Sequence, residues 1–171
     1  MLGHLSALPH LQPGTLPSLG VVAAWLGLMY LLRYTGYTIA LLSLAATWLH
    51  EMSHFVFGFL LRAKPVSFSM LPVRAGNQWV LGSVGFANLN IWNAAFVAFA
   101  PLTLVFVGVG IFQRWLVPAY LSGNYVECAW LGYLAACCFF GCLPSSVDVR
   151  AGAASALMYG TILLSLLLAF R

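Results

Sequence analysis

The sequence predicts an all-α integral membrane protein, a single membrane domain over residues 1–171 with about five transmembrane helices and a membrane-associated β-hairpin between helices two and three. Three observations predict it. Hydrophobic residues make up 63% of the chain, charged residues only 6%, and mean hydropathy is +0.97. Seven Lys and Arg and three Asp and Glu are too few to coat a soluble domain of 171 residues, whereas lipid solvates an apolar exterior directly. Long apolar runs are separated by short polar turns, the spacing expected of successive spans. The same composition excludes a disordered chain, a nucleic-acid binder with clustered basic residues, and a small disulfide scaffold. Cys128, Cys137, Cys138 and Cys142 share one apolar stretch and read as small buried hydrophobes.

Residues 1–17 carry Pro9, Pro13 and Pro17 with His4 and His10 but no Lys or Arg, unlike the basic start of a cleaved signal peptide, and read as a loose or interfacial leader. The run VVAAWLGLMYLL predicts helix one over residues 19–32, extended by residues borrowed from the leader and ending at Arg33. A second apolar run over residues 37–61, interrupted only by His50, Glu51, Ser53 and His54, is long enough to cross with tilt. In residues 63–90, Val66, Phe68 and Met70 alternate with polar or small residues, RAGNQ supplies turn chemistry, and Trp79, Leu81, Val84 and Phe86 follow. That pattern predicts a hairpin, which at membrane depth must be covered by protein or face a watery cavity. Helix three is expected over residues 91–112, helix four over 125–143, and helix five over 151–170, after Pro144 and the SSVDVR loop.

Alternating spans would place Arg62, Lys64, Arg74 and Arg150 on one side and Arg33, Arg114 and Arg171 on the other. The excess favours the first side as cytoplasmic. This predicts a multi-pass protein of the cell membrane with its active site nearer the cytoplasm.

His50-Glu51-Met52-Ser53-His54 is an HExxH pattern on a helical segment. Residues at i and i+4 share a helix face, so both imidazoles can address one metal ion, and Glu51 can reach a water at that ion. Two unpaired imidazoles and a carboxylate in hydrocarbon would cost several kcal/mol. About eight residues separate His54 from Arg62, roughly 12 Å of helix, which puts the site inside the apolar layer but nearer that end. Zinc in hydrolases takes three protein ligands and a water, so a third ligand is needed. Span order places Glu127 at the far end of helix four and Asp148 on the histidine side, which selects Asp148; the other readings of Asp148 are a cap of helix five and an ion pair with Arg150. Cys142 is a softer candidate.

An HExxH within a transmembrane helix, a strand-rich segment after it and an Asp after a later helix together resemble the site-2 protease family of intramembrane zinc metalloproteases, over residues 37–150. The resemblance implies zinc held by His50, His54 and Asp148, with Glu51 as the catalytic acid/base. AFAPL around Pro101 is similar to the family's small-residue third helix, with Ala100 in place of its Gly, and at LPSSVD Val149 stands where the family has Gly after the Asp. The expected activity is hydrolysis of peptide bonds in membrane-embedded protein or peptide substrates, the partners being substrate and bilayer, with no nucleic acid. The oligomeric state is not expressed in the sequence. Within this picture an edge strand in residues 64–88 either holds an unwound substrate by β-augmentation or plugs the cavity as a lid. Asn88, Asn90 and Asn93 either donate to an oxyanion or cap helix three. The competing reading is a non-catalytic membrane protein with a structural or sensing metal site; a transporter would need more midplane ionisable groups and a repeated half.

Overall fold

A computed structural model describes residues 13–32, 36–69, 73–75, 78–80 and 82–170. Most of the leader, the turn after helix one with Arg33, the tip of the hairpin, and Arg171 lie outside the described residues. The chain is mainly helical. α1 (Thr15–Leu32) starts four residues earlier than the apolar run alone suggests, after Gly14 at φ 87. α2 (Gly36–Leu60) carries the HExxH pattern. The expected third helix (91–112) is instead a short α3 (Ala94–Ala98) and, after a break at Phe99, one unbroken helical run from Ala100 to Leu121 that takes in Arg114 and is made of a 3-10 turn (Ala100–Thr103), α4 (Leu104–Ile111), a π turn (Phe112–Leu116) and α5 (Val117–Leu121). Pro101 and Pro118 lack an N–H and crowd the carbonyl four residues back, so a tightened and a widened turn accommodate them. α6 (Tyr125–Gly141) and α7 (Ser146–Ala169) complete the chain. Among the described residues, Thr15–Leu32, Ala100–Leu121 and Ser146–Ala169 are long and apolar enough to cross a membrane.

The hairpin is present in two nested pieces. β1 (Pro65–Ser69) pairs antiparallel with β4 (Ser83–Phe86), and β2 (Val73–Ala75) with β3 (Gln78–Val80). The ribbon lies along α2: the Phe86 ring fills the notch at Gly58, and Phe68 meets Phe55 edge-on at 5.5 Å. The ribbon thus packs one face against α2.

Side-chain contacts give the sense of each helix. Tyr133 Oη donates to the Leu42 carbonyl at 3.0 Å and Gly141 reaches His50 farther along, so α6 runs with α2. α3 runs against α2, because Asn93 Nδ2 donates to the Leu61 carbonyl while Val97 reaches His54. α7 runs against α3: Asp148 lies beside His54, Ser155 Oγ accepts the Ala95 N–H at 3.0 Å, and Tyr159 Oη donates to the Trp92 carbonyl at 2.7 Å. α6 and α7 therefore run in the same sense, broken near the level of His50, and α7 is not the return crossing that alternating spans predict. Arg150 accordingly sits in the first part of α7, two residues past Asp148.

Small residues let these helices approach, as packing in lipid demands. A Cβ on Gly152 would lie 2.7 Å from Ala98 Cβ, which fixes the closeness of α7 to α3. Cys128, Cys137, Cys138 and Cys142 are buried free thiols, in keeping with their reading as small hydrophobes.

Candidate metal centre

His50 and His54 stand one turn apart on α2, their Nε2 atoms 3.2 Å from each other and their rings edge to face at 4.8 Å. Each ring is aimed by a backbone carbonyl on a different helix: His50 Nδ1 lies 2.8 Å from the Gly141 oxygen and His54 Nδ1 2.8 Å from the Val97 oxygen. A carbonyl only accepts, so each Nδ1 is the protonated nitrogen and donates. In the neutral ring Nε2 is then a bare acceptor. Both Nε2 atoms face the same point.

Asp148 completes the group. Its Oδ1 lies 3.1 Å from His54 Nε2 and its Oδ2 3.3 Å from His50 Nε2. Asp148 is the N3 residue of α7 in a capping box: Ser145 N–H donates to Asp148 Oδ2 at 2.7 Å, and Asp148 N–H donates to Ser145 Oγ at 3.2 Å. The cap and the approach to the histidines, alternatives in the sequence, are one geometry here. Among the described residues the two histidines are the ionic partners of Asp148, and no pair with Arg150 forms.

Three acceptors thus converge, with all their candidate ligand atoms within 4.8 Å of one another. His54 is buried, and His50 and Asp148 are nearly so. Two lone pairs and a carboxylate at this spacing repel unless a proton or a metal ion lies between them, and partial burial weakens the screening by water. The donor set therefore fits a metal ion. A backbone carbonyl on the Nδ1 of each imidazole is the arrangement that fixes tautomer and ring orientation in metal sites.

Glu51 lines the same cavity, of about 740 Å³, together with the three ligand candidates. Its side chain rests on the connection from β3 to β4: a Cβ at Gly82 would stand 2.6 Å from Glu51 Cγ, so only glycine leaves room for the carboxylate. Val84 and Phe86 of β4, Phe140 of α6, Leu143 of the α6–α7 break and Val147 of α7 form apolar walls. The break exposes irregular backbone, which a cavity tolerates and lipid does not.

The remaining candidates lie elsewhere. Glu127 is held by the Asn124 cap at the start of α6, the opposite end from Gly141. Cys142 Sγ donates to the Phe139 carbonyl at 3.1 Å and is outside the group. The three asparagines neither line the cavity nor form a side-chain cap on α3. Asn88 Nδ2 donates to the Arg62 carbonyl and Asn93 Nδ2 to the Leu61 carbonyl, so they close the C-terminal end of α2 and join it to the start of α3.

Gly141, Val97, Ser145 and Gly82 are the contributors that sequence reading misses. Ser145-Ser146-Val147-Asp148 carries a legible capping pattern; a backbone carbonyl acceptor carries no signal at all. No protein-family model, curated protein or solved structure matches the chain.

Proposed function

We propose that this chain is an intramembrane zinc metalloprotease of the site-2 type, hydrolysing peptide bonds of membrane-embedded substrates, with His50, His54 and Asp148 as metal ligands and Glu51 as the catalytic acid/base. The observation that carries the reading is the convergence of two Nδ1-anchored imidazoles and one capped carboxylate beside the acid of an HExxH helix. Zinc suits the donors: two imidazole nitrogens and one carboxylate are among its hydrolytic ligand sets, and their facing atoms lie 3.1–3.3 Å apart.

When bound, zinc supplies Lewis acidity toward water and a carbonyl. The protein does the rest. Asp148 contributes the negative charge that offsets the cation, and the Gly141 and Val97 carbonyls keep both imidazoles in the binding tautomer. The Glu51 carboxylate accepts the proton of the attacking water and returns it to the leaving amine. Apolar walls on the cavity limit bulk water while admitting an unwound peptide. β1 and β4 pair with each other along one edge each, which leaves edges for an extended substrate to join. The reading carries a multi-pass location in the cell membrane, with the site opening toward the cytoplasm.

Chelation tests it. Purified protein in liposomes with a membrane-embedded peptide should lose cleavage on treatment with a zinc chelator and regain it on adding one equivalent of zinc. Cleavage insensitive to chelation would refute the metal mechanism, and absence of cleavage with zinc bound would favour the structural-site alternative.

A further inference from the structure

The carbonyl that orients His50 belongs to the last residue of α6, where helical carbonyls lack an intrahelical partner and are available to accept. It reaches Nδ1 at 2.8 Å because two helices touch there without a side chain between them. A Cβ on residue 141 would stand 2.7 Å from the Ala46 carbonyl oxygen and 3.6 Å from Leu104 Cδ1. The first obstacle is α2 backbone, which cannot turn aside as a side chain does. α6 would have to withdraw, and the bond to His50 would lengthen with it.

We infer that Gly141 is a positioning residue for the metal centre: its missing side chain sets the α6–α2 distance at which its own carbonyl holds His50 in the ligating tautomer. The role concerns metal affinity and stands whether or not the chain is a protease. Other glycines of the bundle provide the contrast. Gly132, on the same helix, packs against the Val21 side chain of α1, away from the histidines. It serves helix contact alone.

The test compares zinc affinity, by chelator competition, in the full-length detergent-purified wild type, Gly141→Ala and Gly132→Ala. Gly141→Ala is expected to bind zinc about 10- to 100-fold more weakly, the usual effect of losing an outer-shell partner, with Gly132→Ala near wild type. Equal affinity in Gly141→Ala and wild type overturns the inference, as does an equal loss in both variants, which would signify general packing. If Gly141→Ala does not fold, nitrogen NMR of histidine-labelled wild type decides. A His50 signal protonated at Nδ1 in the zinc-loaded protein supports the inference, and one protonated at Nε2 overturns it. A loss of proteolysis with zinc affinity unchanged would bear on the mechanism proposed above and count against this inference.

Discussion

Asp148 serves two elements with one carboxylate: it closes the first turn of α7 and faces the two imidazoles of α2. These roles separate by mutation. Ser145→Ala removes the hydroxyl that accepts the Asp148 N–H but keeps the Ser145 N–H that holds Oδ2, so α7 should lose about 1 kcal/mol while zinc content stays at one per chain. Thermal unfolding and metal analysis of the same sample check both halves; loss of zinc in this variant would mean the hydroxyl is needed to place the carboxylate. His50, Glu51 and His54 are legible in the sequence because a helical i, i+4 spacing is a pattern in residue types. The carbonyls of Gly141 and Val97 are illegible for the opposite reason, since any residue type carries one.

At the scale of elements, the break between α6 and α7 does what a continuous span cannot. α6 stops at Gly141, whose carbonyl reaches His50, and α7 restarts at Ser146 with Asp148 inside its first turn, so a helix end and a helix start meet at the His50–His54–Asp148 group. Pro144 and the Ser145 cap mark this break in the sequence, yet a short polar turn between two apolar runs is equally the mark of a reversal, and side-chain contacts alone distinguish them. The choice of Asp148 over Glu127 agrees with the geometry, and so does the span order behind it, since α6 runs with α2; the departure from alternation begins only at α7. α7 is secured to α3 by Ser155, a buried hydroxyl that accepts the N–H of Ala95 in the first turn of α3. Ser155→Ala leaves that N–H without a partner and should destabilise the fold by about 1–3 kcal/mol, read as a lowered denaturation midpoint. An unchanged midpoint would show that water or lipid-side relaxation replaces the bond. The ribbon is legible as alternation in residues 65–69 and 83–86. Its seat on α2 depends on Gly58 and Gly82, whose importance is only that nothing projects from them.

Among the described residues the molecule is an apolar bundle, with His50, Glu51, His54 and Asp148 gathered in one cavity. Composition alone makes the membrane legible, and α7, with little of its apolar surface covered by protein, shows the exterior that lipid would solvate. The assembly is less legible, because the interrupted stretch from Ala94 to Leu121 and the same-sense pair α6 and α7 depart from uniform crossing helices. Both departures serve the site: α3 brings the Val97 carbonyl to His54, and the break brings Asp148 to both rings. The most direct measurement of the central claim is zinc content and cleavage of a membrane-embedded peptide in the same liposomes, for wild type and Glu51→Gln. Glutamine keeps the volume of Glu51 but cannot accept a proton, so the account predicts one zinc per chain in both and cleavage lowered by roughly 10²- to 10⁴-fold in the variant. Near-wild-type cleavage by Glu51→Gln with zinc retained would contradict it.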